Sequence, residues 1–183
     1  MLLALKPHPD NPSDAVTHIE VDVLRDAPET LTLTWLLTGD LNGIVLPAFR
    51  SRERADELWK HSCFELFVKG DGDSYFEFNF SPCGGWAAYR LASYRGDLEN
   101  AVGTPVLSHV FKVGTSTVGM VARLNLGDLS GLALYAPLRI GLSAIIEAPG
   151  GERSFWALAH APGDPDFHNP IAFAGEIPTM DYA

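Results

Sequence analysis

The segment LWKHSCFELFVKGDGDSYFEFNFSPCGGWAAYRLASYR, residues 58–95, gives the clearest indication of the fold of this chain. It holds three short runs whose side chains alternate with a period of two, which is the spacing of a β-strand. In the first two runs one alternating set is apolar: Phe64, Leu66, Val68, Phe76, Phe78 and Phe80. The other set mixes aromatic and carboxylate side chains. The pattern therefore predicts a sheet with one core face and one exposed, chemically unusual face.

Similar alternation recurs along the chain, and clusters of Gly, Pro, Asp or Asn separate the runs. The nine predicted strands are 18–24, 30–38, 62–68, 75–80, 86–91, 109–113, 117–125, 139–147 and 154–160. With 17 Gly, 13 Pro and no long 3.6-residue periodicity, the sequence predicts an all-β fold, an antiparallel β-sandwich or jelly roll. Two stretches, 51–59 and 126–135, are predicted to carry a short helical turn.

Composition narrows the class of protein. A chain of 183 residues with 46% hydrophobic and 20% charged content suits a single domain over residues 1–183. The net charge of −10 argues against a nucleic-acid or anionic-membrane partner, since either needs a basic patch. Only five apolar residues precede Lys6, too few for a secretory signal or a membrane span, so we expect a cytoplasmic location.

The two cysteines are predicted to be reduced and buried. Cys63 and Cys83 lie 20 residues apart without a CxxC pattern. That spacing, in a chain expected in the cytoplasm, favours two thiols over a disulfide or a metal site.

The hairpin formed by the first two runs predicts a pair of carboxylates. If the apolar residues share the core face, Glu65 and Glu77 share the opposite face, where two carboxylates repel. In the third run we expect Ala87, Tyr89 and Leu91 to join the core, which turns Trp86 and Arg90 toward the glutamates. Arg90 is then placed to bridge both carboxylates with its planar fork.

This face, with Tyr75 and Asn79 beside it, resembles surfaces that hold sugar hydroxyls. The alternative is a structural ion network of Glu65, Glu77 and Arg90 on a partly exposed sheet. Trp59 stands at the entry to the sheet and Trp156 in a late strand. Each tryptophan also fits a packing role, since an indole covers a large apolar area.

In the strings LWKHSCFELFV, YFEFNFSPCGGWAAYRLASYR and FWALAH…DFH the chain resembles the DOMON-like domains, relatives of family-9 carbohydrate-binding modules. The likeness runs from about residue 15 to 175 and is densest in residues 58–95. It implies a jelly-roll sandwich and a noncatalytic ligand-binding role. It also implies a sugar held between two tryptophans, with Trp59, Glu65, Arg90 and Trp156 as contributors.

Other chemistries are less well supported by the sequence. A haem-binding branch of the DOMON group uses Met and His, but Met120 has no fixed histidine partner here, and Met180 lies in the tail. Asp71 and Asp73 are explained by turn chemistry, and a calcium ion there would be structural. His160, Asp166 and His168 fit no strong zinc spacing. We therefore expect no cofactor and no resident metal.

Catalysis is not expected either. Cys83 has no orienting third group, and a nearby arginine would keep Glu65 and Glu77 ionised, which disfavours a general acid. The sequence thus predicts a noncatalytic domain that binds a carbohydrate-like small molecule through Trp59, Glu65, Tyr75, Glu77, Asn79, Arg90 and Trp156. The second hypothesis is a protein–protein interaction or assembly domain that pairs through its exposed sheet.

Overall fold

A computed structural model describes residues 1–103 and 105–179, so Met180 lies outside the described residues. These residues form thirteen strands and three short 3-10 turns. The strands are β1 Leu2–Ala4, β2 Lys6–Pro7, β3 Val16–Ala27, β4 Thr30–Gly39, β5 Cys63–Lys69, β6 Tyr75–Phe80, β7 Trp86–Leu91, β8 Glu99–Asn100, β9 Val106–Val113, β10 Thr117–Asn125, β11 Leu138–Glu147, β12 Arg153–Ala157 and β13 Gly175–Ile177. The turns are Leu41–Gly43, Leu58–Lys60 and Pro170–Ala172. No helix in the described ranges is long and apolar enough to cross a membrane.

Two antiparallel sheets make up the fold. The five-stranded sheet has the order β1-β3-β4-β10-β9. The eight-stranded sheet has the order β2-β12-β11-β5-β6-β7-β8, and β13 also pairs with β11. Because consecutive strands such as β5, β6 and β7 are neighbours, the middle of the larger sheet is a meander built from residues 63–91.

The main core lies between the two sheets. From the larger sheet it receives Phe64 and Phe78, and from the smaller one Trp35 and Leu33, all fully buried. Trp35 packs against Phe64 and Phe80 at ring-centroid distances of 6.1 and 5.8 Å. The prediction that the apolar set of the β5–β6 hairpin faces the core is confirmed.

The all-β prediction is confirmed, and each of the nine predicted strands corresponds to an observed one. The sequence missed β1, β2, β8 and β13, which are only two or three residues long. Of the two predicted helical turns, 51–59 meets a 3-10 turn only at its end, Leu58–Lys60, and 126–135 forms turns without a helix.

The outer face of the eight-stranded sheet is also buried, contrary to the prediction of an exposed face. A second apolar cluster covers it, and its members are Leu58, Cys63, Phe67, Tyr75, Ala87, Tyr89, Leu91, Ile145, Ala157, Phe167 and Phe173. The chain segments around residues 58–60, 92–98 and 165–173 supply the cover. Both faces of this sheet are therefore buried, and this is the main difference from the sequence-based prediction.

Candidate ligand-binding site

A cavity of about 330 Å³ lies between the outer face of the eight-stranded sheet and the segments that cover it. Its volume falls at the lower end of the range for ligand pockets, roughly 300–1,000 Å³. Its floor comes from the sheet and its walls from loops. The lining residues are Trp59, Glu65, Phe67, Glu77, Leu91, Arg95, Gly96, Leu98, Ile145, Phe155, Pro165, Phe167 and His168.

Strand register places two glutamates on the cavity floor. Glu65 of β5 stands directly opposite Asn79 of β6, and Glu77 stands opposite Phe67. The two glutamates are therefore diagonal neighbours on one face, a position that puts Cα atoms roughly 7–8 Å apart. Glu65 is 2% exposed and Glu77 is 4% exposed. The predicted pairing of the two carboxyls on one face is confirmed, but they are buried.

The carboxyl groups have few polar partners. Ser143 Oγ donates to Glu65 Oε2 at 2.9 Å, and Asn79 Nδ2 donates to Glu77 Oε1 at 2.7 Å. Glu77 Oε2 is buried and accepts no hydrogen bond from residues 1–103 or 105–179. A buried acceptor without a donor costs free energy, so this atom is a natural contact point for a bound ligand.

Burial raises the pKa of both glutamates. Desolvation raises the pKa of Glu65 to about 8, with a further contribution from the charge of Glu77. Desolvation likewise raises the pKa of Glu77 to about 7, against the opposing effect of its hydrogen bond from Asn79. Without a ligand, the pair therefore retains protons near neutral pH. The prediction that an arginine keeps both carboxylates ionised is wrong.

His168 closes one side of the cavity. Its Nδ1 lies 2.8 Å from the Tyr75 hydroxyl, which also accepts from the Arg95 backbone N–H at 3.2 Å. Its Nε2 lies 3.9 Å from Glu77 Oε2, beyond hydrogen-bond distance. Burial, with the nearby Arg95 charge, lowers the pKa of His168 to about 4, so the imidazole is neutral at pH 7. It therefore does not neutralise Glu77.

Arg95 is held by another acid. Its Nη2 donates to Asp166 Oδ1 at 2.9 Å, and the Tyr94 hydroxyl donates to Asp166 Oδ2 at 2.6 Å. These contacts, together with the positive charge of Arg95, hold the pKa of Asp166 below its ordinary value although burial opposes them. The loop that carries Arg95 is thus tied to the segment that carries His168.

Trp59 is the half-buried aromatic wall of the cavity. It sits in the 3-10 turn Leu58–Lys60, which follows Glu57 in a left-handed conformation with φ of 62°. Buried Leu58 anchors the turn, and the Trp59 ring meets Tyr89 edge-on at a centroid distance of 6.1 Å. The turn precedes β5, so Trp59 lies at the entry to the sheet, where the sequence places it.

The predicted orientation of β7 is wrong. Phe78 pairs with Ala88 and Phe76 pairs with Arg90, so Arg90 and Trp86 lie on the core side of the sheet. The connecting turn sets this register: Ser81 and Gly85 are hydrogen-bonded at 3.0 Å, and Gly84 has a φ of 91°. Arg90 instead lies 3.9 Å from Glu99 at the sheet edge and does not reach the glutamates.

Trp156 also faces away from the cavity. It pairs with Ala144 in the main core, is 3% exposed, and donates its indole N–H to Ser154 Oγ at 3.1 Å. Its neighbour Phe155 lines the cavity in its place and lies 6.1 Å from Phe167, centroid to centroid. Sequence reasoning missed Phe155 because it assigned the conspicuous indole to the site. The alternation of β12 gives one of these two adjacent aromatic rings to each face.

The remaining predicted site residues support the cavity without lining it. Asn79 is fully buried and orients Glu77, while Tyr75 is 2% exposed and orients His168. Phe167 and His168 were missed as lining residues, although they belong to the string FWALAH…DFH, in which the chain resembles the DOMON-like domains. No periodic pattern marks them, because they lie in an irregular segment.

A larger cavity of about 600 Å³ lies beneath the 45–57 loop. Its lining includes Cys83, and His61 Nδ1 lies 2.8 Å from Glu147 Oε2 beside it. None of the unpartnered buried polar atoms in the described part of the chain belongs to this lining. The smaller cavity therefore offers the more specific chemistry.

The cysteines are both free, with Cys63 buried and Cys83 half-buried. Burial raises the pKa of the Cys63 thiol, which keeps it neutral at physiological pH. Among residues 1–103 and 105–179 there is no group of three or more His, Cys, Asp or Glu side chains that could hold a metal ion. Asp71 and Asp73, the predicted location of any structural calcium, therefore belong to no such group.

Comparisons with solved structures give matches over most of the chain. A proposed carbohydrate-binding protein from Bacteroides uniformis matches with a TM-score of 0.69 and 12% identity, over 94% of this chain and 83% of that one. A family-9 carbohydrate-binding module from Caldicellulosiruptor kristjanssonii in complex with glucose matches with a TM-score of 0.55 and 12% identity, over 98% and 86% of the two chains. A family-9 carbohydrate-binding module from the same organism, in complex with cellotriose, matches with a TM-score of 0.54 and 10% identity, over 89% of this chain and 74% of that one.

At these identities the likeness shows the fold. The chain is a β-sandwich of the type found in family-9 carbohydrate-binding modules, and that part of the predicted relationship is confirmed. No protein-family model matches the sequence, and neither does any curated protein.

Proposed function

We propose that this chain is a noncatalytic, DOMON-like carbohydrate-binding module whose site is the cavity floored by Glu65 and Glu77. One observation carries the proposal. Glu77 lines a cavity with aromatic walls, and its buried carboxylate oxygen Oε2 has no donor among the described residues. A sugar meets both demands, since its apolar face stacks on aromatic rings and its hydroxyl groups donate hydrogen bonds.

The cavity offers both kinds of contact, aromatic stacking and hydrogen bonding. Trp59 and Phe155 offer aromatic surface, while Glu65 and Glu77 converge on the floor. The volume of about 330 Å³ suits a ligand near the size of a single sugar ring. The solved neighbours that contain glucose and cellotriose support the same ligand class for this fold.

The test is thermal stabilisation of the purified protein by a panel of neutral monosaccharides, amino sugars and short oligosaccharides at pH 7. We expect at least one sugar to raise Tm, and Trp59→Ala to remove that shift because it deletes the aromatic wall. Tyr135→Ala is the matched control, since Tyr135 is 77% exposed and lies outside the cavity lining.

Two outcomes would overturn the proposal. The first is a panel in which no sugar changes Tm. The second is a shift that persists in Trp59→Ala, which would place binding elsewhere. Recovery of the bound sugar intact, checked by mass spectrometry, tests the noncatalytic assignment, and a cleaved oligosaccharide would contradict it.

A further inference from the structure

Resting on the proposed function, we infer that the preferred ligand is an amino sugar whose ammonium group binds the Glu65 and Glu77 carboxyls. The inference starts from charge. Two carboxyl groups line a cavity of about 330 Å³, and both residues are more than nine-tenths buried. A neutral sugar would satisfy hydrogen bonds there without supplying any charge.

The described lining contains no cation available to the glutamates. Arg95 is the only Lys or Arg among the described lining residues, and its guanidinium is engaged by Asp166 at 2.9 Å. His168 approaches Glu77 Oε2 only to 3.9 Å, with its other ring nitrogen on Tyr75. Arg90, the cation that the sequence suggested, lies on the opposite face of the sheet.

The polar groups that do meet the glutamates are neutral. Ser143 reaches one oxygen of Glu65, and Asn79 reaches one oxygen of Glu77. Glu77 lines the cavity, and its Oε2 has no hydrogen-bond partner in the described part of the chain. An ammonium group donates up to three hydrogen bonds and carries a positive charge that offsets the carboxylates once they ionise, so it matches this acceptor better than a hydroxyl group.

The aromatic walls favour the same ligand. Four aromatic side chains line the cavity: Trp59, Phe67, Phe155 and Phe167. Aromatic faces attract cations through the ring quadrupole, and they also stack on the apolar face of a sugar ring. An amino sugar is the ligand class that uses both properties together with the buried carboxyls.

Proton linkage supplies a distinctive signature. The raised pKa values of Glu65 and Glu77 mean that the empty pair holds protons at pH 7, so a bound ammonium displaces them. The other titratable groups packed around the pair stay in one state at this pH. Their pKa values are shifted away from neutrality: the pKa is raised for Cys63 and Tyr75 and lowered for His168 and Asp166.

The experiment is titration calorimetry at pH 7 with D-glucosamine, D-glucose and N-acetyl-D-glucosamine, each in two buffers of different ionisation enthalpy. We expect the affinity for glucosamine to exceed that for glucose by a factor of at least about ten, because a charge-assisted hydrogen bond is stronger than a neutral one. Its binding should release protons to the buffer. N-acetylglucosamine, whose nitrogen is uncharged, should lose both the preference and the proton release.

Variants locate the effect. Glu77→Gln should reduce glucosamine affinity to that of glucose, while Glu99→Gln, a change at a 70% exposed side chain, should keep the preference. Cyclohexylamine serves as a cation without hydroxyl groups and should bind more weakly than glucosamine.

Each contrary outcome has a separate meaning. Equal binding of glucose and glucosamine without proton release overturns this inference and leaves the proposed function standing. Binding of neither sugar, with no response from the wider panel, overturns both. A preference that survives Glu77→Gln, or cyclohexylamine binding as tightly as glucosamine, also overturns the amino-sugar assignment.

Discussion

The two faces of the eight-stranded sheet are both buried, yet they differ in chemistry. The inner face presents Phe64, Phe78 and Trp156 to the other sheet and is mostly apolar, with Arg90 at its edge. The outer face presents Glu65 and Glu77 to a cavity beneath irregular chain segments. Burial therefore has two sources in this molecule: sheet-on-sheet packing, which disfavours polar groups, and loop cover, which leaves room for them.

The largest expected effect belongs to the inner face. Phe78→Ala removes a fully buried ring from the main core and should lower the free energy of unfolding by about 3–5 kcal/mol. Chemical denaturation measures the change. Val121→Ala, at a 38% exposed side chain, is the control and should cost less than about 1 kcal/mol. A near-neutral Phe78→Ala would mean that Phe78 does not pack in the main core.

The outer face should make stability fall as pH rises. Above the ordinary glutamate pKa of 4.5, the folded chain keeps protons on Glu65 and Glu77 that the unfolded chain has lost. The folded state then binds more protons, so the free energy of unfolding decreases with pH until both groups ionise, near pH 7 and pH 8. Between pH 6.5 and 8.5 we expect a loss of about 3 kcal/mol.

Denaturation at pH 6.5, 7.5 and 8.5 measures this trend. Histidines whose pKa is lowered, such as His168, act in the opposite direction but only below about pH 6.5, which is why the window starts there. The double variant Glu65→Gln, Glu77→Gln is the control and should flatten the profile. A wild-type profile that is already flat would show that the carboxyls are not desolvated.

The smallest effect concerns Arg90. Its guanidinium lies 3.9 Å from Glu99 and the side chain is 38% exposed, so Arg90→Ala should cost less than about 1 kcal/mol. A bridge to Glu65 and Glu77 would instead make the loss about 1–3 kcal/mol. Chemical denaturation of the variant at pH 7 distinguishes the two. A loss of the larger size would contradict the observed orientation of β7.

The strand order of the centre of the larger sheet followed from local pattern, because short loops join β5, β6 and β7. The faces of Phe64 and Phe78 were predictable for the same reason. The face of β7 was not, since Tyr89 and Leu91 are buried on the outer side, and hydrophobic alternation cannot tell one buried face from another.

The candidate site was predicted in part. The carboxyl pair and Trp59 follow from strand alternation and from the position of the turn before β5. Phe155 was missed because the resemblance to family-9 modules implied a second tryptophan in the site, and Trp156 was assigned to that place. Phe167 and His168 reach the cavity through a tertiary approach of an irregular segment, which no sequence period records.

The hydrogen bond between Tyr75 and His168 joins residues 93 positions apart. The glutamates below it belong to a hairpin of adjacent strands, which can form early, whereas contacts of such sequence separation require closure of a long loop and form slowly. We therefore expect binding competence to appear as a late step in refolding, after the sheet itself. During synthesis, the carboxyl pair lacks the 165–173 part of its cover until the ribosome has passed that segment.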